Sequence, residues 1–365
     1  MRIIIAGYGF YALGNKHLQG GTIVPAMLAW LDENPDQFVD LSIIVRSLES
    51  KKTADQRVNV FLAGFENKQL VSRIKIESIT YEKIDRELQY DCGIVAVPEK
   101  AHVDVISILS KVVSKIICVK PLGSDNSDLE KILKIQENSK CSIFIDFHKR
   151  YDESNISFIN AVSHSNFNNA IFKFSYGQKS EMPLAYFRKW AKSSNPFQYL
   201  APHYLDIIFS CLRRSAFNVD SFDIKGKSLS RSFSTSPDII SLVSSNLEFR
   251  SGDKSILVSA DCNWMEPAMM PYSSRQRIEF LAEDMHIISE QDDRGQMHCY
   301  ADSISIPNPH FMVRDSIFGV DGYGKRSFTN FLNYVCGRYN VNHLAKAVEF
   351  RPISKVIEFV NEDIY

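Results

Sequence analysis

The chain has 365 residues, of which 45% are hydrophobic and 23% charged. This composition supplies enough apolar material for folded cores and excludes a disordered chain, and the length predicts two domains. The 42 basic and 43 acidic residues give a net charge of −1. Phosphate neutralisation needs a basic excess, so we expect no nucleic-acid partner and interpret basic pairs such as Arg213–Arg214 as solvated surface.

The seven cysteines contain no C-x-x-C pair, which leaves a zinc-ribbon interpretation without support. Cys92, Cys118 and Cys141 lie in or beside apolar runs, as is typical of buried thiols. Such usage predicts a reducing compartment and a cytoplasmic protein. The first apolar run is too short for the core of a signal peptide, and no run approaches about 18 apolar residues, so we predict no membrane segment.

Six apolar runs in the first 147 residues have the length of strands and are separated by helical patterns. The strand-like runs are Ile3–Ala6, Leu41–Val45, Arg73–Thr80, Gly93–Val97, Lys115–Val119 and Ser142–Phe147. Helical spacing of apolar residues covers Thr22–Leu31, His102–Leu109 and Ser127–Gln136. Strands that alternate with helices predict right-handed βαβ units and a parallel sheet.

After about residue 150 the pattern favours alternating, antiparallel-type strands. These predicted strands are Ala170–Ser175, Val219–Lys225, Ile239–Phe249, Ser255–Ala260 and Arg277–Leu281. Helices are predicted over Tyr199–Leu212, Ser327–Val335 and Ile353–Val360, a hairpin turn at Ser251–Lys254, and a loop in the serine-rich segment Ser228–Ser236. The predicted fold class is α/β plus α+β. A doubly wound domain covers 1–147, and an open, mostly antiparallel sheet domain covers 148–365, with C-terminal helices that can pack back on the first domain.

A glycine-rich turn follows the first predicted strand. Gly7-x-Gly9-x-x-Ala12 matches the dinucleotide fingerprint with its permitted third alanine. Glycine allows a tight turn and lets backbone amides approach a pyrophosphate. A glycine turn between any strand and helix would match the same sequence pattern. The position of this turn at the start of a βαβ series favours a cofactor-binding turn over a plain connection. Residues 1–147 are therefore predicted to be a dinucleotide-binding Rossmann domain.

The helix expected after this turn is displaced along the chain. Residues 10–19 lack amphipathic spacing, whereas Gly20-Gly21-Thr22 leads into a helical pattern with Thr22 as the N-cap. The first βα loop is therefore predicted to be about ten residues longer than the usual turn. The residues expected around the cofactor phosphates are Gly7, Gly9, Phe10, Gly21 and Thr22.

The end of the second predicted strand, Val45-Arg46-Ser47, bears on the choice of cofactor. An acidic residue at this position binds the ribose 2′-hydroxyl of NAD, whereas arginine accommodates the 2′-phosphate of NADP. No acid is present here, and a guanidinium beside a hydroxyl suits a phosphate. We therefore prefer NADP, bound by Arg46 and Ser47, with NAD as the alternative. A plain surface arginine is the other interpretation of Arg46.

Four motifs follow in order along the chain. They are Pro98-x-x-x-His102, Val119-Lys120-Pro121, Asp146-Phe147-His148-Lys149-Arg150 and His203-x-x-Asp206. This series resembles the glucose–fructose oxidoreductase and inositol dehydrogenase (Gfo/Idh/MocA) family over nearly the whole chain. The resemblance implies a Rossmann domain joined to a substrate-binding and oligomerisation domain, and homo-oligomers such as dimers or tetramers. It also implies reversible hydride transfer at a carbinol carbon of a sugar, cyclitol or nucleotide sugar.

Two positions depart from the pattern of that family. Val119 stands where the family's Glu-Lys-Pro motif has glutamate. Tyr199 stands where many members have an aspartate, four residues before the histidine of the helix. The lysine and the histidine are present, and their usual carboxylate partners are missing.

Lys120 and His203 are the candidate catalytic residues. A hydroxyl must lose its proton when its carbon loses hydride, and histidine accepts a proton near neutral pH without special tuning. His203 lies three residues before Asp206, on one helical face. Lys120 ends a strand at the carboxyl edge of the sheet, where an ammonium can hold the hydroxyl and stabilise an alkoxide. The alternatives are a buried structural histidine and an ordinary Lys-Pro strand end.

Four further residues are substrate-binding candidates. Lys149 and Arg150 emerge at the end of the sixth strand, where they can bind substrate or cover the domain junction. Their neighbour His148 is interpreted equally as a packed residue. Trp190 and Tyr199 suit a sugar site, and Tyr199 is also a possible proton relay, although aromatic residues at such spacing more often belong to a core.

The resemblance also assigns residues around the cofactor. It implies that Pro98, His102 and Lys120 flank the cofactor and that the peptide bond before Pro121 is cis. No cluster of histidine, aspartate and glutamate has metal-ligand spacing, so we expect no metal.

The main hypothesis is an NAD(P)-dependent oxidoreductase acting on a sugar, cyclitol or nucleotide sugar. Two alternatives stay open. The first is a non-catalytic NAD(P)-binding sensor or regulatory protein, which the missing carboxylates favour. The second is a reductase of an imine or another non-sugar substrate on the same scaffold. A methyltransferase that uses S-adenosylmethionine fits less well, because such enzymes usually place an acid after the second strand.

Overall fold

The computed structural model describes residues 1–14, 21–65, 67–85, 87, 89–292, 297–299, 302–306, 308, 310–311, 313–315 and 319–365. Their contacts divide the chain into two compact units. The first comprises Met1–Tyr151 and His310–Glu349, and the second comprises Asp152–Pro309 and Phe350–Tyr365. The segment 310–349, which contains one of the C-terminal helices that the sequence allowed to pack back on the first domain, thus belongs to the first unit.

A seven-stranded sheet lies at the centre of the first unit. Its strands are β1 Arg2–Ala6, β2 Val39–Val45, β3 Ile74–Thr80, β4 Cys92–Val95, β5 Lys115–Val119, β6 Ser142–Asp146 and, late in the chain, β17 Ala345–Lys346. The order across the sheet is β17-β6-β5-β4-β1-β2-β3, and every pair is parallel except β17 with β6. The predicted parallel sheet is confirmed, and each predicted strand ends within two residues of its observed limits.

Helices alternate with the strands of this unit along the chain. They are α1 Phe10–Leu13, α2 Ile23–Glu33, α3 Leu48–Ala63, α4 Lys68–Val71, α5 His102–Leu109, α6 Asn126–Ser139 and α11 Tyr323–Val335. Short 3-10 turns occur at Tyr81–Lys83, Glu99–Ala101, His148–Tyr151 and Val341–His343. The sequence did not predict α3, because only Ala54 and Val58 of that helix are buried and the apolar pattern is correspondingly weak.

The helix α11 explains why residues 310–349 belong to the first unit. Its Asn333 accepts a hydrogen bond from the indole nitrogen of Trp30 in α2, across 2.8 Å. Its Phe331 and Tyr334 pack edge-on against Phe144 of β6, with ring centroids 5.9 and 5.4 Å away. Burial of these aromatic faces fixes the segment on the sheet despite its distance in sequence.

The second unit contains a six-stranded sheet. Its strands are β7 Asn169–Lys179, β8 Asp223–Phe233, β9 Ser236–Ser251, β10 Lys254–Glu266, β11 Ser274–Ala282 and β12 Met285–Glu290. The order is β12-β11-β7-β10-β9-β8, with antiparallel pairs except for parallel β7 and β10. The mostly antiparallel sheet is confirmed, and the predicted hairpin joins β9 to β10 through Gly252 at a φ of +58°.

The serine-rich segment 228–236 is not the predicted loop, because its first six residues belong to β8. That strand lies at the edge of the sheet and is largely exposed, so it forms without the apolar alternation that marks a covered strand. Short strand pairs complete the structure: β13 His298–Cys299 with β14 Ile304–Ser305, and β15 Val313–Asp315 with β16 Gly319–Asp321.

The helices of the second unit are α7 Glu153–His164, α8 Arg188–Ala191, α9 Pro196–Leu200, α10 Pro202–Arg214 and α12 Arg351–Ile364. A π-helical turn covers Met182–Tyr186. The 3-10 turn Ala347–Phe350 spans the point where the chain passes from the first unit to the second. The helix predicted over Tyr199–Leu212 is thus two helices, and Pro202 opens the second. In the part of the chain that the structure describes, no helix combines the length and the apolarity that crossing a bilayer requires.

Candidate functional site

The turn after β1 requires glycine at its first position. Gly7 has a φ of +113°, and a Cβ there would lie 2.1 Å from the carbonyl oxygen of Ala96, just after β4. Gly9 differs, because a Cβ there would meet no described atom within 4 Å. The backbone at Gly7 therefore passes close beside the end of β4, whereas the backbone at Gly9 leaves room for a phosphate to approach.

Gly21 and Thr22 return the chain to this turn. The segment between, residues 15–20, lies outside the described residues and includes Gly20. The amide of Thr22 donates to the carbonyl of Tyr11 across 2.6 Å, and a Cβ at Gly21 would lie 2.5 Å from the backbone of Ala12. The predicted phosphate-binding residues therefore gather at the carboxyl end of β1. Thr22 precedes α2 as predicted, although its hydroxyl makes no capping hydrogen bond.

The first βα connection was predicted to be a loop lengthened by about ten residues. Its described part contains a short helix that was not predicted, because Phe10–Leu13 form the single turn α1 directly after Gly9. The carbonyl of Gly9 accepts hydrogen bonds from the amides of Ala12 and Leu13, both across 3.1 Å. A single turn shows no amphipathic period, so the sequence pattern could not reveal it.

Arg46 and Ser47 lie at the end of β2, and both are exposed. Ser47 is the N-cap of α3, and its Oγ accepts a hydrogen bond from the amide of Ser50 across 3.1 Å. Burial raises the pKa of Tyr81 at the end of β3, and the positive charge of Arg46 lowers it in part. The guanidinium of Arg46 therefore lies within electrostatic range of the end of β3.

Arg57 is a residue that sequence reasoning missed. It lies on α3, and its Nη1 donates to the carbonyl oxygen of Tyr8 across 3.2 Å. Its guanidinium carbon also lies 5.6 Å from the centre of the Tyr8 ring. Arg57 thus holds the middle residue of the glycine turn.

His102 connects two loops at the carboxyl edge of the sheet. Its Nε2 lies 2.8 Å from the carbonyl oxygen of Val97, beside Pro98. Its Nδ1 lies 3.1 Å from the carbonyl oxygen of Leu122 and 3.3 Å from the sulfur of Cys118. The ring is buried, and burial lowers its pKa. His102 therefore ties the loop that contains Pro98 to the loop that contains Lys120.

Lys120 follows β5 directly and is partly buried. The peptide bond between Lys120 and Pro121 is cis, as the resemblance implied. Burial lowers the pKa of His148 most strongly, Asp146 raises it, and the charges of Lys149 and Lys120 lower it further. The lysine therefore belongs to the same electrostatic neighbourhood as the residues after β6.

A hydrogen-bonded cluster that the sequence did not reveal joins Tyr11, Asp146 and His148. The Tyr11 hydroxyl donates to Oδ2 of Asp146 across 2.5 Å and lies 3.2 Å from Nδ1 of His148. The distance between that Nδ1 and Oδ2 is 3.8 Å. Asp146 is buried, and its other oxygen, Oδ1, has no hydrogen-bond partner among the described residues. The sequence signal that could have indicated this cluster is an aspartate two residues before a histidine, at the end of a buried strand.

Lys149 and Arg150 have different surroundings. Lys149 is buried, with 2% of its surface exposed, which is rare for lysine. Arg150 forms an ion pair with Glu349 at 2.9 Å, and its guanidinium carbon lies 5.5 Å from the centre of the Phe147 ring. Lys149 is therefore held inside the unit, whereas the head of Arg150 is engaged by a carboxylate.

In the second unit, His203 and Asp206 both lie in α10 and are buried. The His203 ring lies 6.1 Å from that of Tyr176 in β7. Among the described residues, no group of three or more histidine, cysteine, aspartate and glutamate side chains could hold a metal ion.

Trp190 and Tyr199 form an aromatic cluster with Trp264, which sequence reasoning missed. Trp190 and Tyr199 meet edge-on with centroids 4.7 Å apart. Trp264 of β10 lies 5.6 Å from Trp190 and 6.3 Å from Tyr199. The structure therefore brings together the two aromatic residues that the sequence named as substrate-binding candidates.

The whole chain is similar in structure to several solved dehydrogenases. One is scyllo-inositol dehydrogenase from Lactobacillus casei with bound NAD(H) and scyllo-inositol, at 13% identity and a TM-score of 0.68, covering 100% of this chain and 96% of that one. Another is the WlbA dehydrogenase from Bordetella pertussis in complex with NADH and UDP-GlcNAcA, at 12% identity, a TM-score of 0.68 and the same coverage. A third is myo-inositol 2-dehydrogenase from Lactobacillus plantarum, at 13% identity and a TM-score of 0.68, covering 99% and 96%.

The chain has the Gfo/Idh/MocA fold. No family model matches its sequence, and no curated protein matches it. The Gfo/Idh/MocA fold is thus recognised here through structure and short motifs. In its first unit the named residues follow β1, β2, β4, β5 and β6, at the edge where open parallel sheets bind their ligands.

Proposed function

We propose that the protein is an NAD(P)-dependent oxidoreductase that transfers hydride to or from a carbinol carbon of a sugar, cyclitol or nucleotide sugar. The observation that carries this proposal is the turn from Gly7 to Gly9, which is tight beside the end of β4 and open at Gly9. This turn lies at the carboxyl edge of a parallel sheet, in a fold that solved dehydrogenases share.

The backbone around Gly7, Gly9, Phe10 and the corner at Gly21–Thr22 would hold the pyrophosphate. Arg46 and Ser47 would meet the adenosine ribose, and the absence of an acid after β2 supports NADP over NAD. The Ser47 hydroxyl already caps α3, so most of that selectivity falls to the exposed Arg46. Pro98 and His102, with Lys120, would border the nicotinamide end.

Lys120 and His203 are the proposed proton-transfer residues. The nicotinamide supplies the hydride chemistry when it is bound. The Lys120 ammonium would hold the reacting oxygen and stabilise its developing negative charge, since it follows a strand at the ligand-binding edge. His203 would exchange the hydroxyl proton, because imidazole changes its charge near neutral pH.

Lys149, Arg150, Trp190 and Tyr199 are the proposed substrate-binding residues. The cluster of Trp190, Tyr199 and Trp264 supports a carbohydrate substrate, because aromatic faces present apolar area while indole and phenol groups can hydrogen-bond to hydroxyls.

We also propose that the protein is a homo-oligomer. Leu257 of β10, Ile171 of β7 and Leu281 of β11 are register neighbours across three strands, and Leu257 and Leu281 are exposed. Neighbouring exposed leucines on one sheet face support burial against a second copy. Light scattering of the purified protein tests this, with a monomer at micromolar concentration as the contrary result.

The deciding experiment is a titration with NADPH and NADH, followed by energy transfer from the tryptophans to the reduced nicotinamide. Tight binding of NADPH over NADH is expected. A panel of inositols, sugars and nucleotide sugars is then assayed with NADP⁺ and NAD⁺. Binding without turnover on any member, or on imines tested beside them, would favour a sensor. Binding of neither dinucleotide would remove the proposed function.

A further inference from the structure

The strands β2 and β3 end side by side at the carboxyl edge of the first sheet. Val45 and Thr80, the last residues of these strands, are register partners. Adjacent strands lie about 4.8 Å apart, and paired residues project to the same face. Arg46 follows β2 directly, and Tyr81 follows β3 directly. The two side chains therefore start from neighbouring points on this edge of the sheet.

The electrostatics of Arg46 and Tyr81 agree with this placement. Burial raises the pKa of Tyr81, and the positive charge of Arg46 lowers it in part. Because burial has the larger effect, the phenol keeps its proton at neutral pH and can donate a hydrogen bond. Arg46 is exposed, and no described residue forms an ion pair or a hydrogen bond with its guanidinium. A cation and a neutral donor therefore stand together at this edge.

Ser47 is the hydroxyl that the sequence assigned to a phosphate at this point, but its hydrogen bonds are directed elsewhere. Its Oγ accepts from the amide of Ser50 across 3.1 Å and donates to the Oγ of the same residue across 3.1 Å. A hydroxyl has one hydrogen, and that of Ser47 is used within α3. A donor beside Arg46 must therefore come from another part of the chain, and Tyr81 is the adjacent one.

The adenosine half of a dinucleotide would lie over these strand ends. The glycine turn follows β1, and Lys120, proposed to border the nicotinamide end, follows β5. The order β6-β5-β4-β1-β2-β3 places β5 on one side of β1 and both β2 and β3 on the other. A dinucleotide with its pyrophosphate at the glycine turn and its nicotinamide toward Lys120 therefore extends its adenosine toward Arg46 and Tyr81.

We propose that Tyr81 is a specificity-determining residue for NADP, whose hydroxyl donates a hydrogen bond to the adenosine 2′-phosphate that Arg46 binds. The inference rests on the proposed function. A phosphate monoester carries about two negative charges at pH 7 and offers three acceptor oxygens. The Arg46 guanidinium can bind two of these oxygens side by side, and the phenol of Tyr81 serves the third. NAD has a hydroxyl in place of this phosphate and gains neither contact.

The first test titrates whole Tyr81→Phe protein with NADPH and NADH. This variant keeps the ring and removes only the hydroxyl. NADPH should bind about tenfold more weakly, the loss expected for one hydrogen bond to a charged acceptor, and NADH within about twofold of wild type. Tyr186→Phe, at an exposed tyrosine of the second unit, is the matched control and should leave both affinities unchanged. Wild-type affinity for NADPH in Tyr81→Phe would overturn the proposal.

A second variant separates the hydroxyl from the ring. Tyr81→Leu removes both, so it should weaken NADPH binding about as much as Tyr81→Phe does and leave NADH binding within about twofold of wild type. A ring that only stacks on the adenine would behave differently, because both dinucleotides contain adenine. If Tyr81→Leu weakened NADPH and NADH equally while Tyr81→Phe had no effect, Tyr81 would be a stacking residue and the proposal would be wrong.

The third test asks whether Arg46 and Tyr81 bind the same phosphate. Arg46→Ala, Tyr81→Phe and the double variant are titrated with NADPH. Groups that share one partner are coupled, so the double variant should lose less affinity than the product of the two single losses. Losses that simply multiply would place the two side chains on separate parts of the ligand and contradict the shared site.

A fourth measurement uses nucleotide fragments that carry no nicotinamide. Adenosine 2′,5′-bisphosphate should displace NADPH from the wild type at a concentration at least about tenfold lower than AMP, and Tyr81→Phe should reduce this ratio. If Tyr81→Phe fails to fold, NMR of wild-type protein labelled at the tyrosine Cζ replaces it. The bisphosphate should then shift a tyrosine signal that is missing in Tyr81→Leu, and AMP should not. A signal that the bisphosphate leaves unmoved would refute the contact.

The failure of this inference differs from the failure of the proposed function. Wild-type protein that binds neither dinucleotide would refute the proposed function, and the role of Tyr81 with it. Wild-type protein that binds NADH at least as tightly as NADPH would refute the role of Tyr81 and leave an NAD-dependent oxidoreductase. Turnover of the sugar and polyol panel, together with an unchanged NADPH affinity in Tyr81→Phe, would refute the role of Tyr81 alone.

Discussion

Val119 and Asp146 are register partners across β5 and β6. Val119 stands where the motif of the family that this sequence resembles has glutamate, and its register partner Asp146 carries a carboxylate. Paired residues of adjacent parallel strands project to the same face of a sheet. The buried charge of Asp146 therefore lies beside the strand end that leads directly into Lys120, and it is tied to Tyr11 and His148.

Lys120→Ala should lower turnover by roughly 100- to 1,000-fold, because it removes a positive charge from the developing alkoxide. Affinity for the dinucleotide should stay within about twofold. The measurement is kcat on the best substrate of the panel, together with a fluorescence titration of NADPH. Lys134→Ala, at an exposed lysine of α6, is the control. Wild-type turnover in Lys120→Ala would remove this residue from the mechanism.

Arg46→Ala should weaken NADPH binding by at least about tenfold, the loss expected for one charge-assisted hydrogen bond to phosphate. NADH binding should change by less than about twofold, because NADH carries no 2′-phosphate. Titrations with both reduced cofactors measure the two constants. If the affinities for NADPH and NADH fell equally, Arg46 would have a general electrostatic role and would not select NADPH over NADH.

Arg57→Gln should weaken the binding of NADPH and of NADH to the same extent, by about fivefold. This change corresponds to the loss of one hydrogen bond of about 1 kcal/mol. The physical reason is that Arg57 holds the carbonyl of Tyr8 inside the glycine turn. Arg231→Gln, at an exposed arginine of β8, provides a control for net charge. Unchanged affinities would show that the turn keeps its conformation without Arg57.

Gly7→Ala should destabilise the fold by about 2–4 kcal/mol, because it adds a clash with Ala96 to the strain of a positive φ. Gly252→Ala separates the two effects. Gly252 also has a positive φ, +58°, but a Cβ there would meet no described atom within 4 Å. Its cost should be about 1 kcal/mol, from the backbone alone. Urea unfolding of both variants measures the difference, and equal costs would contradict the clash.

Asp292→Asn should stabilise the protein at pH 8 and have little effect at pH 4. Burial raises the pKa of Asp292 from 3.8 to about 6. The native state then binds its proton more tightly than the unfolded state, so stability from this group is full below pH 3.8 and is lost as pH rises through 6. Asparagine keeps an acceptor for the amide of Gln276 without the charge. Thermal unfolding across this pH range is the measurement, and a pH-independent effect of the variant would be the contrary result.

The first six strands could be predicted because most contain a short apolar run that ends at glycine, proline or a polar residue, and Arg73–Thr80 has its isoleucines in near-alternation. Lys115–Val119 is identical in prediction and structure. The α3 helix was missed for the opposite reason, since a mostly exposed helix leaves little apolar periodicity. The single turn α1 and the exposed edge strand β8 were not predicted for the same reason, because neither has a clear apolar periodicity in the sequence.

The sequence by itself determined the fold class, the glycine turn, and the order of the motifs that name Lys120 and His203, because these depend on local spacing. Only the tertiary structure decided that residues 310–349 pack on the first sheet and that Arg57 holds Tyr8. It alone joined Tyr11 to Asp146, 135 residues apart. Such contacts depend on strand order and on helices that cross the sheet, and a linear pattern carries no record of which strand ends become neighbours.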